Sequence, residues 1–181
     1  MTPTTVTTAT ATTGTTVHAI VDSPVGPLTL VTREGGLAGV YMTEQRHLPA
    51  PETFGPRVEV TDRPVLVRTA EQLTGYFAGD VRDFDIDLST TGTPFQKRVW
   101  EALRDIPYGE TVSYGELAAA LGQPTASRAV GLANGRNPVS IIVPCHRVVG
   151  ANGSMTGYGG GIERKRWLLS FENGTHQPVL G

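Results

Sequence analysis

The chain has one cysteine, Cys145, in 181 residues. That excludes an intramolecular disulfide and leaves any thiol chemistry to a single residue. Its histidines, His18, His47, His146 and His176, do not have zinc-ligand spacing, so neither a structural metal nor a cofactor is expected. No apolar stretch approaches the roughly 20 residues that span a bilayer, and the start lacks the charged-then-apolar pattern of a secretory signal. The expectation is a cytoplasmic protein with no membrane partner. The glycine-rich stretch from Gly153 to Gly161 is not followed by Lys-Ser or Lys-Thr, which excludes a nucleotide-binding phosphate loop.

The chain does have enough apolar residues, 39%, for one good core or two small ones. Its formal net charge of −2 alone does not suggest nucleic acid, but the distribution does. Residues 1–92 carry 6 basic and 11 acidic side chains, and residues 93–181 carry 9 and 6. The basic half holds Cys145, and such a gradient turns that half toward a polyanion.

Residues 1–16 are mostly threonine without periodicity and read as a disordered tail. Residues 17–92 form a first unit. Val17 to Val21, Leu28 to Thr32 and Leu37 to Tyr41 are short apolar runs separated by turn sequences, the pattern of a β-meander. A helix is expected over about 64–77, ending at Gly79, and a further strand over 84–88. This unit offers no nucleophile, so its expected role is support.

Residues 93–173 form a second, mostly helical unit, and residues 174–181 a flexible tail. Thr93-Pro94-Phe95-Gln96 combines a threonine cap, proline at the first helical position and glutamine three residues after the cap. Its helix extends to about Arg104, with Phe95, Val99, Trp100 and Leu103 on one core-facing side. Ser113-Tyr114-Gly115-Glu116 is another capping box, opening a helix through Leu121. A third helix runs from about Thr125 to Asn134, and the pair has the proportions of a helix-turn-helix. Ala126, Ser127, Ala129 and Gly131 are small enough to bring the third helix close to a partner. Arg128 among them, near a positive helix N-terminus, suits phosphate or insertion into a groove. The last helix, about Ile162 to Glu172, should pack Trp167, Leu168 and Phe171 inward. Arg164-Lys165-Arg166 reads as a solvated face.

Cys145 follows Ile141-Ile142-Val143, expected to be a short buried strand stopped by Pro144. His146 and Arg147 come next, and nearby cations favour the thiolate. Asn137-Pro138 marks a turn whose side chain bonds the backbone, and the glycines around Tyr158 permit close approach of a ligand to an aromatic wall. Glu172 beside an inward aromatic residue needs a partner, for which His146 is the candidate.

Together these motifs resemble the O6-alkylguanine-DNA alkyltransferase family. The resemblance is carried by Pro144-Cys145-His146-Arg147-Val148, Tyr108-Gly109, Ser113-Tyr114-Gly115, Arg128-Ala129-Val130-Gly131, Asn137-Pro138, Gly157-Tyr158-Gly159 and Glu172. It is strong from Thr93 to Glu172 and looser from His18 to Leu88. It implies a mixed α/β fold, with a small ribonuclease H-like α/β domain before a helical domain containing a helix-turn-helix. It also implies single-turnover DNA repair, in which an alkyl group passes from O6-alkylguanine, and less surely O4-alkylthymine, to Cys145. In the implied site Arg128 fills the gap left by a flipped nucleotide, and Tyr114 promotes flipping and protonates guanine N3. Asn137 is the hinge to the recognition helix, and Tyr158 walls the pocket. The backbones at Cys145, Val148 and Gly159 bond the base. His146, steered by Glu172, takes the thiol proton through a water.

The implied partner is double-stranded DNA containing O6-alkylguanine, met by a monomer, with cooperative assembly along DNA left open. The protein would then be cytoplasmic and nucleoid-associated when bound. Some relatives hold zinc through N-terminal cysteines that this chain lacks. A cysteine hydrolase would explain Cys145 and His146 but not the helix pair. A non-repairing binder of alkylated DNA is the alternative, and such proteins lack the acceptor cysteine.

Overall fold

The computed structural model describes residues 15–176. Most of the tail expected over 1–16, and the end of the one expected over 174–181, lie outside the described residues.

Three strands open the chain, β1 (Val17–Val21), β2 (Leu28–Arg33) and β3 (Gly36–Met42), paired antiparallel in that order. Glu34 and Gly35, between β2 and β3, take φ of 52° and 80°. Positive φ at both central residues is what a tight hairpin turn requires for the strand twist to continue through it. Helix α1 (Pro64–Phe77) starts on its proline and buries Leu66, Thr69, Leu73 and Tyr76 against the sheet. Gly79 follows at φ 83° and stops it.

Helix α2 (Pro94–Leu103) forms the expected capping box, with Gln96 N–H donating to Thr93 Oγ1 at 3.1 Å and Thr93 N–H to Gln96 Oε1 at 3.0 Å. A two-residue strand β4 (Val112–Ser113) leads into α3 (Tyr114–Ala120), also opened by a capping box between Ser113 and Glu116. Helix α4 (Ser127–Gly135) packs on α2 and α3, giving the helix-turn-helix. Strand β5 (Val148–Val149) pairs parallel with β4, and α5 (Ile162–Glu172) closes the described chain.

One apolar core runs through both halves, from Leu30, Leu37, Tyr76 and Leu66 to Leu103, Val130, Val148 and Leu168. The fold is mixed α/β, a small sheet unit followed by a helical unit. Truncating a fully buried side chain here, as in Leu103→Ala, costs about 2–5 kcal/mol.

Two expected strands are absent. Ile141 to Val143 are buried but form turns, with Ile141 at φ 72° and Ile142 N–H bonded to the Ser140 carbonyl at 2.8 Å. The reason is Asn137, whose side chain accepts from Val139 N–H at 3.0 Å and donates to the Val143 carbonyl at 2.8 Å, curling the segment on itself. A buried β-branched run fits a strand or a packed loop equally. Residues 84–88 make only a single bridge, Leu88 to Leu37. That bridge and a second, Val139 to Val40, satisfy the outer edge of β3. The second bridge fastens the turn leading to Cys145 onto the N-terminal sheet.

Candidate active site

Cys145 begins a 3-10 turn, Cys145–Arg147, directly before β5. All three residues are buried, Cys145 at 4% exposure and His146 at 0%. Pairing of β5 with β4 sets Val148 beside Val112 and Val149 beside Ser113, so the start of α3, with Tyr114, is delivered next to the thiol turn.

Glu172 is the centre of the charge arrangement. Its Oε1 lies 2.8 Å from His146 Nε2 and accepts from Arg147 Nη2 at 2.9 Å and from the Tyr76 hydroxyl at 2.9 Å. Its Oε2 accepts from Arg147 Nε at 3.0 Å and from Gly109 N–H at 3.2 Å. Burial pushes the Glu172 carboxyl up, but the bonds and charges of His146 and Arg147 outweigh it and hold the group down at about 2. Glu172 is therefore ionised at neutral pH. Burial lowers the proton affinity of His146 from its ordinary value, with Glu172 opposing and Arg147 and Lys165 reinforcing. A neutral imidazole donating from Nε2 to Glu172 leaves Nδ1 as an acceptor, and Nδ1 has no hydrogen-bond partner among the described residues.

Cys145 departs from the simple expectation that its neighbours favour thiolate. Burial raises the thiol above its ordinary value, and the Asn137 amide and the Lys165 ammonium only partly counter this. The adjacent Arg147 is committed to Glu172, with its Nη1 on the Ile106 carbonyl at 2.6 Å. The cation that acts on the sulfur is Lys165, from α5. Arg164-Lys165-Arg166 is thus not a solvated face. Lys165 is fully buried and donates to the carbonyls of Val148 and of Thr156, the latter at 3.1 Å. Arg164 donates to the carbonyls of Val25 at 3.1 Å and Thr43 at 2.8 Å. Only Arg166 is exposed.

Tyr114 is half-buried, and its hydroxyl donates to the Thr156 carbonyl at 3.1 Å. Its proton is held more tightly than usual by burial and by the charge of Cys145 nearby, against the bond to Thr156. Tyr158 is buried, with its hydroxyl near Ser140 but outside hydrogen-bond geometry. Of the three residues whose backbones are expected to meet a base, the carbonyls already have donors. Cys145 accepts from Asn134 Nδ2 at 3.3 Å, Gly159 from Arg46 N–H at 2.7 Å, and Val148 from Lys165. The Cys145 carbonyl also accepts from Val148 N–H, so both of its lone pairs are taken.

On α4, Arg128 and Ala129 are exposed, and Arg128 makes no ion pair among the described residues. Ala126 caps the helix without a side-chain bond, so its first N–H groups have no side-chain acceptor. Ser127 is partly exposed. Gly131 belongs to the other side of the helix, where an added Cβ would lie 3.6 Å from the Tyr114 ring. Leu132 is 70% exposed, an apolar residue on the outward side that composition did not single out.

The structure brings the expected Cys145, His146, Arg147, Glu172, Asn137 and Tyr114 to one place, with Arg147 holding Glu172 instead of acting on the thiol, and adds Tyr76 and Lys165, which the sequence reading did not place there. Lys165 had a signal: it stands three residues before Leu168 and seven before Glu172, on the inward face of α5. Tyr76 had none, being 96 residues from Glu172. Among the described residues, no three His, Cys, Asp or Glu side chains cluster as a metal site, and no helix is long and apolar enough to cross a membrane.

Residues 94–174 match the family described as 6-O-methylguanine DNA methyltransferase, DNA binding domain, and residues 16–90 match its ribonuclease-like domain. The chain is 53% identical over 155 residues to a methylated-DNA–protein-cysteine methyltransferase of Mycobacterium tuberculosis, covering 86% of this chain and 91% of that one. It is 49% identical over 156 residues to the enzyme of that name from Methanosarcina acetivorans, covering 86% and 97%. A crystal structure of Mycobacterium tuberculosis OGT in complex with DNA superimposes with a TM-score of 0.81 at 50% identity, covering 89% of this chain and 95% of that one.

Proposed function

The chain belongs to the 6-O-methylguanine DNA methyltransferase family, and from that premise we propose how its own residues carry out the repair. The protein is a DNA-binding methyltransferase that reverses alkylation damage directly, with its own cysteine as acceptor. The observation that carries the reading is the buried His146–Glu172 pair, which leaves Nδ1 as a free acceptor on the residue next to the only thiol.

The damaged base is O6-alkylguanine in duplex DNA. Its alkyl carbon cannot be reached in line within the stack, so the nucleotide is flipped into the pocket. The exposed start of α4, Ala126 to Ala129, approaches the minor groove, and Arg128 fills the vacated space. Gly131, facing the Tyr114 ring, sets that helix beside the pocket. Asn137 serves as the hinge, because its side chain shapes the turn that carries the chain from α4 to Cys145. Tyr158 walls the pocket, and the backbones at Cys145, Val148 and Gly159 bond the base.

The resting thiol is protonated. Its proton passes through a water to His146 Nδ1, and the new imidazolium is stabilised by Glu172 across the 2.8 Å contact. The thiolate attacks the alkyl carbon, a sulfur–carbon bond forms and the carbon–O6 bond breaks. The electron pair stays on guanine, whose N3 receives the Tyr114 hydroxyl proton as Tyr114 leaves the Thr156 carbonyl. The imidazolium gives its proton back through water to the Tyr114 oxygen, the proton on N3 exchanges to N1, and guanine is restored with a thioether left on Cys145.

We read residues 17–92 as the supporting unit and 93–173 as the unit that binds DNA and accepts the alkyl group, acting as a monomer in the cytoplasm without a cofactor. A non-repairing binder of alkylated DNA is not favoured, because the acceptor cysteine is present. Incubation with excess duplex containing O6-methylguanine should give one methyl per chain, mapped by mass spectrometry to Cys145. Continued release of repaired DNA beyond one equivalent contradicts the reading.

A further inference from the structure

Tyr76 carries the N-terminal unit to the relay. Tyr76, on α1, is fully buried, and its hydroxyl donates to Glu172 Oε1 at 2.9 Å. That same oxygen lies 2.8 Å from His146 Nε2 and accepts from Arg147 Nη2 at 2.9 Å. With Arg147 Nε and Gly109 N–H on Oε2, the five donors exceed the roughly four lone-pair directions that a carboxylate offers. His146 and Tyr76 therefore share the charge of one atom.

We propose that Tyr76 is a positioning residue of the methyl-transfer relay, through which the N-terminal unit fixes the Glu172 carboxylate and limits the charge it presents to His146. The inference rests on the alkyl-acceptor reading of Cys145 and assigns the supporting half a part in setting the proton affinity of the base. Tyr76 remains a donor throughout, because burial and the Glu172 charge hold its proton far above the ordinary tyrosine range. Its ring is gripped on several sides, with Phe77, Phe84, Tyr108 and Phe171 centroids between 5.1 and 6.1 Å away. The hydroxyl accordingly has little freedom to leave Glu172.

The other groups facing the carboxylate are accounted for. His146 and Arg147 come from the thiol turn. Tyr108 and the Gly109 N–H come from the segment after α2, and the Arg82 guanidinium stacks 4.9 Å above the Tyr108 ring. Lys165, from α5, acts on His146 and Cys145. Among these, Tyr76 is the uncharged donor that competes with His146 for Oε1, so removing its hydroxyl concentrates charge on the atom facing the imidazole. A stronger carboxylate partner raises the proton affinity of His146.

The test is Tyr76→Phe, which keeps the ring. Single-turnover transfer from saturating O6-methylguanine duplex is followed across the acidic range, and the His146 imidazole is titrated by NMR in the same protein. The acid limb of the rate profile and the His146 midpoint should both move to higher pH by about one unit, with duplex affinity unchanged. Placing 3,5-difluorotyrosine at position 76, a stronger donor of nearly the same shape, should move both the opposite way, and it decides the matter if Tyr76→Phe does not fold. Both substitutions leaving limb and midpoint in place, or lowering the rate equally at every pH, overturn the proposal. Failure of the unaltered protein to methylate Cys145 instead overturns the reading beneath it.

Discussion

Helix α4 and the turn that follows it, separated by only a few residues, are opposite in character. The start of α4 is exposed, uncapped by any side chain and built from small residues around Arg128. From Asn137 to Val149 nearly every residue is buried, and the Asn137 amide, the Arg147 guanidinium and His146 Nε2 are bonded internally while His146 Nδ1 is not. The first region keeps its donors available for a partner, whereas the second uses its own to hold one sulfur and one imidazole. Under the proposed function, recognition and chemistry are adjacent in the chain but physically separable. Substitutions in one should alter DNA engagement, and substitutions in the other should alter the transfer step.

The largest separation is expected from Cys145→Ala. Transfer should vanish, measured as label on the protein, while affinity for methylated duplex by fluorescence anisotropy stays within about twofold, since the thiol makes less than the net of one ordinary hydrogen bond. Glu172→Gln should follow. It leaves Arg147 buried without its counter-charge and His146 without its anion, so transfer should fall by about a hundredfold or more. Stability to urea should drop by about 3–5 kcal/mol. Retained transfer in this variant would break the assignment of the relay to the buried region.

Acid should act on the same region in two stages. The proton affinity of His146 is depressed by burial, so transfer should hold to below pH 6.5 and then decline as the imidazole becomes charged and can no longer accept. Glu172 titrates at about 2 in the folded protein and near its ordinary value, about 4.3, when unfolded. Its contribution to stability is full above the unfolded value and is lost as pH falls from there through the folded one, as urea titrations at successive pH values would show. The smallest effect belongs to Arg166→Ala, the exposed member of its charge run. Its stability should change by less than about 0.5 kcal/mol, with no change in transfer, whereas Lys165→Met beside it should lose both.

What could be read in the sequence was local. The capping boxes at Thr93 and Ser113 and the proline and glycine that bound α1 act over a few residues, and those helices occur where expected. Ile141 to Val143 turn where a strand is expected because their path is imposed by the Asn137 side chain, which composition cannot reveal. Lys165 was read as solvated because its two carbonyl partners, on Val148 and Thr156, come from other parts of the chain. In the candidate site, the pairing of His146 with Glu172 followed from the cost of burying a lone carboxylate. The groove-facing Arg128 and the Asn137 turn followed from their local sequence, whereas the role of Tyr114 and the hinge role of Asn137 came from family resemblance. Tyr76 was invisible because nothing near it in sequence hints at Glu172.

The separation is tested most directly by single-turnover transfer rates for Arg128→Ala and Glu172→Gln, each on O6-methylguanine in duplex and in single-stranded oligonucleotide. A single strand needs no base to be extruded. Arg128→Ala should therefore be slowed on the order of tenfold or more on duplex and match the unaltered protein on the single strand, while Glu172→Gln should be equally slow on both. Equal loss on both substrates for Arg128→Ala, or recovery of Glu172→Gln on the single strand, would contradict the account.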